Sequence, residues 1–183
     1  MRQYNEIYSS RTGAHLLFEQ YSDRAKHVIF LTRLKAGRRG APSLDTVHLI
    51  EALILEDQGK FAEEMWDSSD ASATSPSRAT APFFAPETAS AILMRLQQIL
   101  PRGEAIPDSV DMPTSSDLRS AFDAAMTLKT ELHYQKVEPL HLLAAVLSEH
   151  STQTSAVLGD FGISREGAIE TLRHSVPNPE ILP

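Results

Sequence analysis

The chain has 183 residues, 42% hydrophobic and 22% charged, a globular balance that allows one ordinary domain or two small ones packed together. No apolar stretch approaches the roughly 18 residues needed to cross a bilayer, which excludes a membrane-spanning helix. A net charge of −7 disfavours phosphate-neutralising binding unless basic residues cluster, and the absence of cysteine excludes disulfides, thiolate metal sites and cysteine nucleophiles.

Residues 1–20 have no apolar core of signal-peptide length and mix Arg2 and Arg11 with Glu6 and Glu19, unlike an acid-poor transit peptide. They read as a loosely ordered leader, with a cytoplasmic location expected. The Met1 start favours a complete protein over a fragment. The first strong helix follows Tyr21. Ser22 is a good N-cap, and Asp23 sits in the first turn, where it meets the helix dipole favourably. Ala25, Val28, Ile29, Thr32 and Ala36 fall on one face, widened by Leu31 and Leu34, and Gly37 and Gly40 are expected to end the helix. A second helix starts near Asp45 with Leu49, Ile50, Leu53 and Ile54 as its apolar positions, and a short third covers Gly59 to Trp66.

Composition then changes. Asp67 to Pro82 is dominated by Ser, Ala, Thr and Pro and reads as a flexible loop; with Phe83 and Phe84 it forms an insertion over 67–84. Pro86 and Glu87 open a helix to about Leu100, striped by Ile92, Leu93, Leu96 and Ile99, and a Pro-, Gly- and Asp-rich linker spans 101–113. Ser115 or Ser116 caps the next helix, with Leu118, Ala121, Phe122, Ala125, Leu128 and Leu132 in steps of three and four. Glu138 and Pro139 open a helix with Leu142, Leu143, Val146 and Leu147 on its core face. A short helix near Thr154 to Leu158 and a last one from the N-cap Ser164 to Ser175 complete the pattern, leaving 177–183 as a tail.

The most informative feature is an internal repeat. HLIEAL from His48 matches HLLAAV from His141, an offset of 93 residues that also aligns Ser22 with Ser115. Each half has the same order of long helix, loop, helix, short helix and final helix. Each half alone is too small to bury a large core, so two four-helix repeats, 21–100 and 114–176, are expected to pack face to face as one all-α, pseudo-twofold domain.

These residues carry a resemblance. YSDRAKHVIFLTRLKAGRRGAPSLDTVHLIEALI from Tyr21 is similar to the Clp N-terminal repeat, with Tyr21, Ser22, Arg24 and Ala25 at its first motif and Thr46, His48 and Leu49 at its second. VEPLHLLAAVL from Val137 and SAVLGDFGISREGAIETL from Ser155 resemble the second repeat and closing helices of the same family. The resemblance covers about 21–66 and 85–176 and implies a double Clp-N domain, a module that docks substrates or adaptors ahead of AAA+ ATPase rings. No phosphate loop is present in the sequence, so ATP hydrolysis is not expected. The implied role is a non-enzymatic adaptor, accessory or substrate-recognition module whose partners are a Clp-type AAA+ ATPase, an adaptor or a substrate protein, with no cofactor, no metal and no nucleic acid.

One departure from the family is informative. Some Clp ATPases use a Glu in each Gly-Thr-Glu-His motif to bind phosphorylated arginine. Val47 and Leu140 stand at those positions here, and neither can receive a guanidinium, so that activity is not carried over. Their apolar side chains suit hydrophobic contact with a partner peptide. The candidate partner surface implied by the family is therefore Thr46, Val47, Glu138 and Leu140.

Other constellations have plainer readings. His48 and His141 lack the clustered ligands of a zinc site and read as third-position helix residues that hydrogen-bond neighbouring backbone across the repeat. Ser22, His48 and Asp45 have the residue types of a hydrolytic triad, but no nucleophile elbow accompanies them, and catalysis is not expected. Arg33, Lys35, Arg38 and Arg39 form the one basic cluster and support the alternative reading, a nucleic-acid-associated or regulatory protein; the plainer reading is a solvated helix end. Trp66, Phe83 and Phe84 either anchor a partner or clip the loop onto the core.

Overall fold

Ser22 and Ser115 each convert an extended backbone into a helix by accepting a hydrogen bond three residues on, from Ala25 N–H at 3.2 Å and Leu118 N–H at 3.1 Å. The computed structural model describes residues 18–66, 82–100, 102–107, 109–148 and 153–175. The expected leader up to residue 17, the loop over 67–81 and the tail from 176 lie outside them. The described residues form α1 (Asp23–Arg38), α2 (Thr46–Asp57), α3 (Phe61–Trp66), α4 (Pro86–Ile99), α5 (Ser116–Glu131), α6 (Pro139–Val146), α7 (Gln153–Asp160) and α8 (Arg165–Ser175). The fold is all-α, and α1–α4 and α5–α8 follow one another in the same order, as the repeat predicts.

α2 and α6 sit at the centre. Every residue of α2 except Val47 is buried, and every residue of α6 except Leu140. Helices buried on all sides are core helices. α1 packs along α2 and α5 along α6, while α2 and α6 also touch each other, joining the two halves into one core.

The twofold relation is written in the backbone. Val137 N–H donates to Gln20 C=O at 2.7 Å and Ser22 N–H to Val137 C=O at 3.0 Å. The mirror set, shifted by 93 residues, is Leu44 N–H to Pro113 C=O at 2.8 Å and Ser115 N–H to Leu44 C=O at 2.9 Å. These two parallel bridges, Tyr21 with Val137 and Leu44 with Thr114, tie the segment before the first helix of one repeat to the segment before the second helix of the other.

Two segments differ from expectation. α1 continues through Gly37 to Arg38; the turn is made by Gly40 at φ +62°, where Gly40 N–H reaches Gly37 C=O and Ala41 N–H reaches Ala36 C=O. Gly37 is needed for close approach instead, because a side chain there would meet Arg33 and the Ile106 carbonyl. The expected linker is strapped down. Ile106 N–H bonds Gly37 C=O, Gly103 N–H bonds Arg39 C=O, and the Arg33 guanidinium donates to the Pro107 and Val110 carbonyls at 2.9 and 2.6 Å.

Candidate functional site

The family-implied residues all lie at the N-termini of the two central helices. At α2, Asp45 is the N-cap and its carboxylate accepts from Thr46 N–H at 2.6 Å, while Asp45 N–H donates to His48 Nδ1 at 3.2 Å. At α6, Glu138 N–H donates to His141 Nδ1 at 2.9 Å. Both are reciprocal capping boxes with histidine at the third helical position. The sequence reading placed these histidine bonds across the repeat; each imidazole instead holds the amide of its own N-cap. A backbone N–H can only donate, so Nδ1 accepts and Nε2 carries the proton of a neutral ring. Nε2 of each ring is buried without a hydrogen-bond partner.

Burial sets the charge states. It lowers the pKa of His48, opposed by the Glu51 and Asp45 carboxylates, and it lowers that of His141 to about 4. Burial also raises the Glu138 carboxyl, partly offset by the hydroxyl of Ser22, which donates to Glu138 Oε2 at 2.9 Å across the repeats.

The four implied residues fall into different situations. Thr46 is buried, and its hydroxyl meets that of Thr154 at 3.1 Å, so it joins α2 to α7 and presents little surface. Val47 and Leu140 are half-buried and rest on the core. They are the residues through which the two central helices reach solvent. Glu138 is half-buried and occupied by Ser22. Thr46 and Val47 line a cleft of about 390 Å³ closed by Ile99, Asp117 and Thr154; Glu138 and Leu140 are not part of its lining.

The catalytic constellation does not assemble. The Ser22 hydroxyl is committed to Glu138 and Ala25 N–H, and His48 Nδ1 to its N-cap amide. Among the described residues no group of three or more His, Asp or Glu is placed to hold a metal ion.

The basic cluster is largely consumed within the chain. Lys35 pairs with Glu64 at 2.6 Å, Arg39 clamps Glu51 with a shortest contact of 2.7 Å, Arg38 lies 3.5 Å from Glu64, and Arg33 holds the strap. Phe84 is buried, and the amides of Phe83 and Phe84 both donate to the Asp57 carboxylate at 3.1 and 2.9 Å. The two phenylalanines clip the returning chain onto the core, the second of the two readings the sequence left open for them. The side chain of Trp66 lies outside the described residues.

Sequence reasoning missed Asp57, Glu51 and Glu56 as organising residues. The signal was present: three carboxylates inside LIEALILED, on a helix too apolar to leave a charge unpaired. Arg24 answers Glu56 with two hydrogen bonds at 2.8 and 2.7 Å.

No protein-family model and no curated protein matches the chain. Solved structures do. The N-terminal domain of the chaperone ClpD from Arabidopsis thaliana is 18% identical with a TM-score of 0.59, covering 85% of this chain and 96% of that one. The Hsp104 N-terminal domain from Candida albicans is 19% identical with a TM-score of 0.60, covering 86% and 93%. A chain described under "a malarial protein secretion system" is 14% identical with a TM-score of 0.62, covering 85% and 93%. The helices, their order and their duplication are therefore those of the Clp N-terminal domain, and this chain has that fold.

Proposed function

We propose that the chain is a non-enzymatic protein-binding module, an adaptor, accessory or substrate-recognition domain for a Clp-type AAA+ chaperone or protease. The observation that carries this reading is the matched exposure of Val47 and Leu140. Each is the one residue of an otherwise buried central helix that solvent reaches, each is apolar, and the two are related by the 93-residue repeat. A partner segment that covers Val47 in the cleft gains apolar burial at about 25 cal/mol per Å². The ion-paired basic cluster gives the nucleic-acid alternative little to bind with.

The test is affinity capture of the tagged chain with ATP or a non-hydrolysable analogue, the retained proteins being identified by mass spectrometry. Enrichment of a Clp-type ATPase or its clients, lost in Val47→Ser and Leu140→Ser variants whose melting is unchanged, supports the reading. Unchanged capture by both variants rejects this surface.

A further inference from the structure

We propose that the seam between the two repeats is an acid-sensitive latch, held shut by the neutral imidazoles of His48 and His141 and released when they take up protons. The argument starts from connectivity. Each imidazole grips the amide N–H of Asp45 or Glu138. The residue immediately before each of these amides, Leu44 or Val137, makes both backbone hydrogen bonds of an inter-repeat bridge. The histidines therefore hold the peptide units next to the only bridges among the described residues, and they do so at both symmetry-related places.

Protonation removes the acceptor. With a proton on Nδ1, two donors face each other across 3.2 Å at His48 and 2.9 Å at His141, and the capping bond cannot survive. The added charge has little solvent to turn to, since His48 is 1% and His141 0% exposed. Around His48 stand the carboxylates of Asp45 and Glu51 on its own helix, the Arg39 guanidinium from the end of α1, and Asp117 of α5 on the wall of the same cleft. The nearest of these carboxylates are engaged, Glu51 by Arg39 and Asp45 by Thr46 N–H. Around His141 stand Lys129 of α5, which disfavours a second cation, the Tyr134 ring edge-on at 4.6 Å, the neighbouring Glu138 and the apolar face of α8.

The direction follows from linkage. An unfolded histidine binds its proton near pH 6.5, whereas the folded His141 resists until about 4. The unfolded or opened state binds more protons across that interval. The latch is fully closed above pH 6.5 and loosens as pH falls toward 4.

The experiment compares the wild-type chain with His48→Gln, His141→Gln and the double variant. Glutamine at the third position retains a capping acceptor and does not titrate in this range. Two readouts are taken from pH 7 to 4: the stability against urea, and amide exchange at Ser22, Leu44, Ser115 and Val137, corrected for the intrinsic pH dependence of exchange. The wild type is expected to take up more protons on unfolding than the double variant, and its four bridge amides to speed up at least tenfold relative to that variant. Equal proton uptake or equal bridge exchange in the two proteins overturns the proposal. A titration of the histidine ring signals in the wild type stands independently of how the variants fold: rings that protonate near pH 6.5 without perturbing the bridge amides overturn it as well.

Discussion

Position 133 carries a histidine where its repeat-mate, position 40, carries a glycine, and both have left-handed backbone, with φ +59° and +62°. Each turns the chain after a long helix by the same pair of reverse hydrogen bonds. The difference lies in what surrounds them. A side chain at Gly40 would run into the backbone of Gly103 and Glu104, because the strap passes directly over it. His133 is exposed and has room, so it bears only the conformational penalty. His133→Gly is expected to raise stability by about 0.5–1 kcal/mol, and Gly40→Ala to lower it by more than about 2 kcal/mol, both read from urea unfolding. A second residue-scale contrast concerns Glu51, which is nearly buried and held by Arg39. Arg39→Ala strands that carboxylate and is expected to cost roughly 3 kcal/mol, while the double change Arg39→Met with Glu51→Leu restores most of the loss, since apolar pairs replace buried ion pairs well.

At the scale of elements, α2 organises its surroundings through carboxylates as much as through apolar packing. Glu56 fixes the start of α1 through Arg24, Glu51 fixes its end through Arg39, and Asp57 receives the chain that returns to α4. Asp57→Ala removes the acceptor for two amides and is expected to cost about 2 kcal/mol. Exchange at the Phe83 and Phe84 amides should rise more than exchange in α5, which the change does not touch. The strap depends on a single guanidinium to hold the Pro107 and Val110 carbonyls. Arg33→Ala is expected to leave global stability within about 1 kcal/mol, since these bonds are exposed, yet to open the strap to proteolysis. Limited trypsin digestion reads this at Arg102.

At the scale of the whole molecule, the helical period and the capping residues were legible because they are local. Ser22, Ser115 and Ser164 cap as their positions imply, and the apolar residues singled out in α6 are buried. The repeat was legible because duplication leaves matched letters. What was hidden depends on partners distant in sequence. Nothing local in Arg33 announces carbonyls more than 70 residues away, and nothing in Thr46 announces Thr154. For this reason the basic run resolved into pairs within the chain, and Thr46, on the lining of the cleft, also ties α2 to α7. Val47 and Leu140, named from the family resemblance, lie half-buried at the starts of α2 and α6.

The crossed bridges have a consequence for the two halves as separate molecules. Each repeat presents its two short extended segments to the other repeat, so a half cut at the strap would leave the Ser22 and Leu44 amides and the Gln20 and Leu44 carbonyls without their partners. It would also expose the apolar side of α2 that meets α6. Neither half is then a self-sufficient folding unit, and fragment complementation becomes the natural behaviour: 18–100 and 102–175, each poorly folded alone, are expected to recover helical signal and cooperative melting when mixed. The same geometry gives a lone repeat another outlet, a homodimer in which a second copy supplies the missing bridges. Size measurement of the 18–100 fragment at rising concentration reads that association.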